Sequence, residues 1–258
     1  AWRVYPFVEH TICYQSAETP ALFAASGRAF GRFQKLLRDY PADTLYETIP
    51  NFHNTEDRLA KLKAAVESDP LGRAAECQPE IRFMLDREAD CSVALDAMRE
   101  GKLPLRVTHN DTKLNNVLMD DKTGEGVCII DLDTVMPGLS INDFGDSIRF
   151  GANHCAEDET DLTKVNLDLE LFDAYTRAFL SEAGDALTGE EIAFLPWGAK
   201  LMTLECGIRF LTDYLSGDVY FHIAREKHNL DRCRTQCKLV SDMEAHWDEL
   251  KAIVAKYH

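Results

Sequence analysis

The feature that most constrains this chain is the run His109-Asn110-Asp111-Thr112-Lys113-Leu114-Asn115-Asn116, enclosed between β-type runs at 105–108 and 116–119. A further β-type run at 127–130 leads straight into Asp131-Leu132-Asp133. Short stretches of apolar and β-branched residues bounded by turn formers read as strands. The segment Asp120-Asp121-Lys122-Thr123-Gly124-Glu125-Gly126 between the last two then reads as the turn of a hairpin. Nearly everything else carries helical spacing, so the sequence predicts an α+β class that is mostly helical with one small β-hairpin insert. A polar loop placed among helices in a compact domain calls for a functional reason.

The helical segments have their own signals. Thr19-Pro20 supplies an N-cap and a first-turn proline for a helix expected to run to Tyr40-Pro41, and Asn54 opens a second with Glu56 and Asp57 in its first turn. One long helical pattern fills 79–100, and others fill 166–183, 190–216 and 228–256. Thr188, three residues before Glu191, forms a capping-box pattern. The opening Trp2-Arg3-Val4-Tyr5-Pro6-Phe7-Val8 reads as an extended piece, because helix interiors reject its proline.

Composition removes several function classes. A net charge of −16 repels phosphate backbones and anionic membranes at long range, which argues against a nucleic-acid partner. No apolar stretch reaches the roughly 18 residues a membrane helix needs, and no basic start precedes an apolar signal core. Eight cysteines without a C-x-x-C pair fit a reduced compartment, so the expectation is a cytoplasmic protein with no membrane partner.

The chemistry follows from residue type and spacing. His109, Asp111 two residues later, Asn116 five beyond that, and Asp131 at the end of a later strand fill in order the places of a kinase catalytic loop and its metal-binding acid. A carboxylate at Asp111 can orient an attacking hydroxyl and accept its proton. Asn116 offers a neutral oxygen and Asp131 a charged one to Mg²⁺, which prefers oxygen ligands. Lys113 can set a cation against a transferring phosphoryl group as its oxygens gather charge.

With these residues in view, the sequence resembles the aminoglycoside phosphotransferase and choline kinase group, and within it the N-acetylhexosamine 1-kinases. The resemblance is carried by Thr108 to Leu118, by Ile130-Asp131-Leu132-Asp133-Thr134, and by Asn142-Asp143-Phe144-Gly145-Asp146-Ser147-Ile148-Arg149. It extends to Gly31-Arg32-Phe33, Ile49-Pro50-Asn51-Phe52-His53-Asn54, and the run from Glu205 to Leu215, and so covers roughly 1–235. It implies a C-terminal lobe of a protein-kinase-like fold at 11–258, preceded at 1–10 by the remnant of a hinge strand whose backbone at Phe7 and Val8 holds adenine. It further implies ATP as cosubstrate, Mg²⁺ held by Asn116 and Asp131, and catalysis by Asp111 and Lys113. Arg209 and Tyr220 would hold an amino sugar, with His109, Asp143 and Asp146 as structural support. Asp133 is left between a second-metal role and a structural one.

The departures matter as much. No G-x-G-x-x-G or G-x-x-x-x-G-K-[ST] occurs, and no strand with a phosphate-pairing lysine precedes Trp2, so the N-terminal β lobe is absent from the sequence and weak ATP binding with little or no turnover is expected of the chain alone. Two alternatives stand beside a sugar kinase: an aminoglycoside or choline-type kinase, which the net charge suits, and a non-catalytic truncated lobe. Some relatives of the family carry a mucin-desulfatase label, but Cys77-Gln78-Pro79-Glu80-Ile81-Arg82 has one residue too many for the C-x-P-x-R core of formylglycine sulfatases.

Overall fold

The computed structural model describes residue 2 and residues 4–258. Two apolar cores organise it, and one long helix belongs to both. Helix α1 (Pro20–Leu36) starts where Thr19 Oγ1 accepts from the Leu22 amide at 3.2 Å, with Pro20 at the first helical position. Helix α2 (Thr55–Ser68) is capped in the same way by Asn54, whose side chain accepts from Asp57 N at 3.0 Å. Helices α3 (Gln78–Leu85) and α4 (Val93–Arg99) follow, then α5 (Ser140–Gly151), α6 (Leu169–Ala183) and the short α7 (Gly189–Ala193), whose Thr188/Glu191 capping box is formed. Helix α8 (Leu195–Ser216) ends at Gly217, whose φ of 101° allows the left-handed cap, and α9 (His228–Ala245) and α10 (Trp247–Ala255) complete the chain.

Helix α8 is buried around nearly its whole circumference, charged residues such as Lys200, Glu205 and Asp213 included. Its first half, with Leu195, Ala199 and Leu201, joins the core formed with α1, α5, α6 and α10. Its second half, with Leu204, Ile208, Leu211 and Leu215, joins the core of α2, α3 and α9. Helices α5 and α8 cross at glycines: a Cβ on Gly145 would lie 2.1 Å from the Gly198 carbonyl oxygen, and one on Gly198 would lie 2.2 Å from that of Ile141.

Among the described residues five short strands complete the fold: β1 (Thr11–Ile12), β2 (Arg106–Thr108), β3 (Val117–Asp120), β4 (Gly126–Ile129) and β5 (Met136–Gly138). The β3–β4 hairpin forms as expected, with Val117 opposite Ile129, and β1 adds to its other edge, Thr11 opposite Asp120. Strand β2 pairs antiparallel with β5, placing Thr108 opposite Met136. A Cβ on Gly138 would lie 2.2 Å from Thr108 Oγ1, so only glycine lets β5 press this closely on the start of the loop.

Several expectations are corrected. Among the described residues of the expected 1–10 hinge strand none lies in a ladder; pairing begins only at Thr11, and Phe7 is 89% exposed. Ala1 and Arg3 of that segment lie outside the described residues. Helix α1 stops at Leu36 rather than Tyr40, with the chain then turning through Leu37 N to Phe33 O. The pattern at 79–100 is three pieces, α3, a 3-10 turn at Glu88–Ser92, and α4. Arg87 makes the break by folding its guanidinium back onto the Phe83 carbonyl while pairing with Glu244 at 2.7 and 2.9 Å. The 190–216 pattern divides at Phe194 because Pro196 starts a new helix, and 228–256 divides at His246. Strand β5 contains Pro137-Gly138, a pair that by sequence rules marks a turn rather than a strand. No helix among the described residues is long and apolar enough to cross a membrane.

Gly145→Ala is expected to force α5 and α8 apart and to destabilise the protein by about 1–3 kcal/mol. That corresponds to a fall of about 2–4 °C per kcal/mol in a thermal melt at this size. A melting curve matching the parent's would show that the two helices are not locked at this crossing.

Candidate functional site

The loop after β2 is shaped by one buried carboxylate. Asp143, in the first turn of α5, accepts from the His109 amide at 3.0 Å, the Asn110 amide at 2.8 Å and Gln34 Nε2 of α1 at 2.6 Å. Burial pushes its pKa up, opposed by His109, these backbone amides and Gln34. Thr112 Oγ1 donates to the Asp143 carbonyl at 2.5 Å, and Ser147 Oγ donates to the Thr112 carbonyl at 2.7 Å. Helix α5 therefore grips the loop at three successive points. Asn110 takes a left-handed φ of 65°, a conformation that asparagine tolerates better than most residues. Its side-chain amide donates to Thr134 O at 2.9 Å.

His109 is buried edge-on against Phe30 and Phe33. Its Nδ1 accepts from Asp111 N at 3.3 Å, so Nε2 carries the proton and donates to Ile130 O at 3.0 Å. Ile130 N in turn donates to Asn116 O at 2.9 Å. The residue just before Asp131 is thus tied on both sides to the loop. Asp131 is exposed, with a left-handed φ of 59°.

Asp111 and its neighbours are in direct contact. Asn116 Nδ2 donates to Asp111 Oδ2 at 3.0 Å and to its carbonyl at 2.8 Å, and Lys113 Nζ lies 2.8 Å from Asp111 Oδ1. Burial would lower the Lys113 pKa, yet Asp111 and Asp146 outweigh it and hold the ammonium up. Asp146, pushed up by burial but drawn below the usual carboxylate range by Arg149, Lys113 and His53, pairs with Arg149 at 2.9 Å.

These groups open into a cleft of about 590 Å³ that Asp111, Lys113, Asp146, Arg209 and Tyr220 all line. Arg209 Nη2 lies 3.5 Å from the Tyr220 hydroxyl, and its guanidinium sits over Phe52, Tyr220 and Phe221 at 5.4, 5.7 and 5.4 Å. The structure therefore brings five of the sequence candidates to one cavity, with Asn116 in contact from below. Asp131, Phe7 and Val8 are not among the residues that line it. The Val8 carbonyl accepts from Thr11 Oγ1 at 2.9 Å.

Residues 1–184 match the phosphotransferase enzyme family, APH. The chain belongs to that family. Among solved structures, this APH-family chain is similar to an ethanolamine kinase of Plasmodium vivax at 13% identity and a TM-score of 0.56, covering 90% of this chain and 64% of that one. A microcompartment-associated aminopropanol kinase matches at 17% identity and a TM-score of 0.50, over 94% of this chain and 65% of that one. A choline kinase from Cryptosporidium parvum Iowa II matches at 12% and 0.54, over 97% and 73%. At such identities the likeness is one of fold, and the chain spans less than two thirds of the first two.

Sequence reasoning passed over several residues that shape the APH-family site. His53 lines the cleft with Nδ1 2.9 Å from Glu205 Oε1 and Nε2 3.0 Å from the Asn110 carbonyl, and Glu205 Oε2 accepts from Thr55 at 2.9 Å. Both lie in runs that carry the resemblance, but nothing local joins two residues 152 apart. Asp213 is a second case: its carboxylate accepts from the amides of Val219, Tyr220 and Phe221 at 2.9, 2.8 and 3.0 Å and so fixes the loop bearing Tyr220. Only Gly217, a residue that commonly ends a helix, marked the loop that Asp213 fixes.

Burial opposes the charge on His53, but Glu205 and the Asn110 carbonyl raise its pKa above the ordinary 6.5. Glu205, against the same burial, is held below the ordinary 4.5 by His53 and Arg209. The stability His53 contributes is complete below its unfolded value and is lost as pH rises through the raised folded value. That from Glu205 is present above its unfolded value and is lost as pH falls through the depressed one. Denaturant unfolding from pH 6 to 9 is therefore expected to show the parent losing stability with rising pH more steeply than His53→Gln, and parallel curves would refute the pairing.

Proposed function

We propose that the protein transfers the γ-phosphoryl group of MgATP to a hydroxyl of a neutral small molecule, most simply the anomeric hydroxyl of an N-acetylhexosamine. Family membership and the Asp111–Lys113–Asn116 contacts support the phosphoryl-transfer part. Asp111 orients the acceptor hydroxyl and takes its proton as the phosphoryl group leaves ATP. Lys113, 2.8 Å from Asp111, supplies positive charge beside the transferring group.

The donor set fits Mg²⁺. With the Asn116 amide nitrogen committed to Asp111, the amide oxygen remains for a cation, and the exposed carboxylate of Asp131 follows a residue tied to the same loop. Mg²⁺ takes few protein oxygens and completes its shell with water and phosphate. When bound, it would neutralise charge on the ATP phosphates.

The observation that carries the choice of acceptor is the state of the charges in the cleft. Each acid lining it is paired with a basic side chain: Asp111 with Lys113 at 2.8 Å, Asp146 and Glu157 both with Arg149 at 2.9 and 2.7 Å, and Glu205 with His53 at 2.9 Å. The aromatic faces of Phe52, Tyr220 and Phe221, which would otherwise suit an ammonium ligand, lie under the guanidinium of Arg209. A cationic amine such as choline or an aminoglycoside would meet like charge there. A sugar would find hydrogen-bond donors at Arg209 and Tyr220 and an apolar wall for its acetyl group.

Full-length protein incubated with MgATP and N-acetylglucosamine is expected to give a sugar 1-phosphate by phosphorus NMR. Asp111→Asn should slow its formation by a factor of about 10²–10⁴ with little change in melting. Phosphorylation of choline or ethanolamine in preference to the sugar would overturn the acceptor reading while leaving the phosphotransferase reading standing; an unslowed Asp111→Asn would overturn the assignment of the base.

A further inference from the structure

A second cavity, of about 230 Å³, shares Arg209, Tyr220 and Phe221 with the catalytic cleft and extends to Arg58 and Lys61 of α2 and Thr212 of α8. The phosphoryl transfer proposed above gives Arg58 and Lys61 no task. Their charges need one.

In a chain with 44 acidic and 28 basic residues, an arginine finds a carboxylate easily. Arg73, Arg87, Arg106 and Arg149 each have one within 2.6 to 2.9 Å. Arg58 and Arg209 form no ion pair among the described residues, although both line this one cavity. Arg58 gives Nη2 to the Phe52 carbonyl at 2.9 Å, but its Nε is buried with no hydrogen-bond partner. Among the described residues Arg209 donates only to the Tyr220 hydroxyl. Burial, followed by the like charge of Arg209, pulls the Arg58 pKa down, so the two guanidinium groups are close enough to repel.

The acids nearby are already committed. Glu205, whose charge reaches both arginines, holds His53 and Thr55 directly, and Asp213, which also lines this cavity, holds three loop amides and Asn229 Nδ2. Lys61 is tied to Asp57 at 2.6 Å. The two guanidinium groups feel Glu205 without an ion pair to it, and the buried, unused Nε–H of Arg58 is unfavourable unless an anion reaches it. They are also a well-matched receptor for one, because the planar fork of arginine complements carboxylate and phosphate oxygens. The wall of Tyr220, Phe221 and Val219 gives the site an apolar side.

We propose that this cavity is an anion-binding site, in which Arg58 and Arg209 together take a carboxylate or phosphate group. Arg209 also lines the catalytic cleft, so an occupant draws on the same side chain that faces the acceptor. The site itself does not depend on the acceptor's identity, because its test reads the arginines and not turnover.

The test follows the arginine Nε–H resonances of the whole protein by ¹H–¹⁵N NMR, with Arg58→Gln identifying the Arg58 peak by its loss. Inorganic phosphate in one arm and benzoate in the other are titrated at constant ionic strength. A saturable shift of the Arg58 resonance is expected, with affinity about tenfold or more weaker in Arg209→Gln, as befits loss of a charge-assisted hydrogen bond of about 1.5–3 kcal/mol. Tighter binding of phosphate identifies a phosphate-bearing ligand, and tighter binding of benzoate a carboxylate on an apolar body. Shifts that grow linearly with both anions, or saturate equally in the parent and in Arg209→Gln, would overturn the site. Should Arg58→Gln fail to fold, an arginine Nε–H resonance that shifts saturably in the parent and at least tenfold more weakly in Arg209→Gln supports the site, and the lack of any such resonance overturns it.

Discussion

The arrangement of the loop from His109 to Asn116 depends on the burial of a single carboxylate, that of Asp143. A carboxylate removed from water is unfavourable unless donors converge on it. Here the donors are two consecutive backbone amides of the loop and the side chain of Gln34, so three distant parts of the chain meet at two oxygens. Satisfying that group obliges the backbone to turn at Asn110, and the turn sends Asp111 out toward the cleft with Lys113 and Asn116 around it. The buried polar face of α5, with Asp146, Ser147 and Arg149 beside Asp143, would be a poor design for stability alone.

The far wall of the cleft is coupled to this loop through charge. His53 bridges the Glu205 carboxylate of α8 to the Asn110 carbonyl, so the wall that carries Arg209 and the loop that carries Asp111 share a hydrogen-bonded path. On the outer edge Asp213 performs for residues 219–221 what Asp143 performs for 109–110: one carboxylate gathers successive amides and fixes a loop without secondary structure. An acid-rich chain thereby spends much of its negative charge internally, and the cleft presents compensated acids and an arginine rather than a bare anionic pocket.

What was legible in the sequence was local. The caps at Thr19, Asn54 and Thr188, the β3–β4 hairpin and the spacing of the loop all rest on residues a few positions apart, and each is formed in the structure. The errors arose where distant residues decide. Helical periodicity ran through 79–100 because the pull of Glu244 on Arg87 cannot be seen from either segment. The apolar opening at 2–8 looked strand-like, but a strand needs a neighbour, and the described residues there have none. Strand β5 shows the converse: a Pro-Gly pair that reads as a turn is held as an edge strand by β2. The salt bridge of His53 with Glu205 and the Asp213 clamp carried chemistry-bearing residues that no short spacing joins.

The glycine contact between α5 and α8 has a bearing on how the cleft can change shape. One helix of that pair supplies Asp143 and Asp146, the other Glu205 and Arg209, and they meet backbone to backbone with no side chain between them to give way. The residues that brace the loop and those that line the facing wall of the cleft are therefore mounted on a single beam. The cleft has little room to change shape by sliding one against the other, which leaves the rim, in the segments around 49–54 and 217–227, as the part whose conformation is set independently of that crossing.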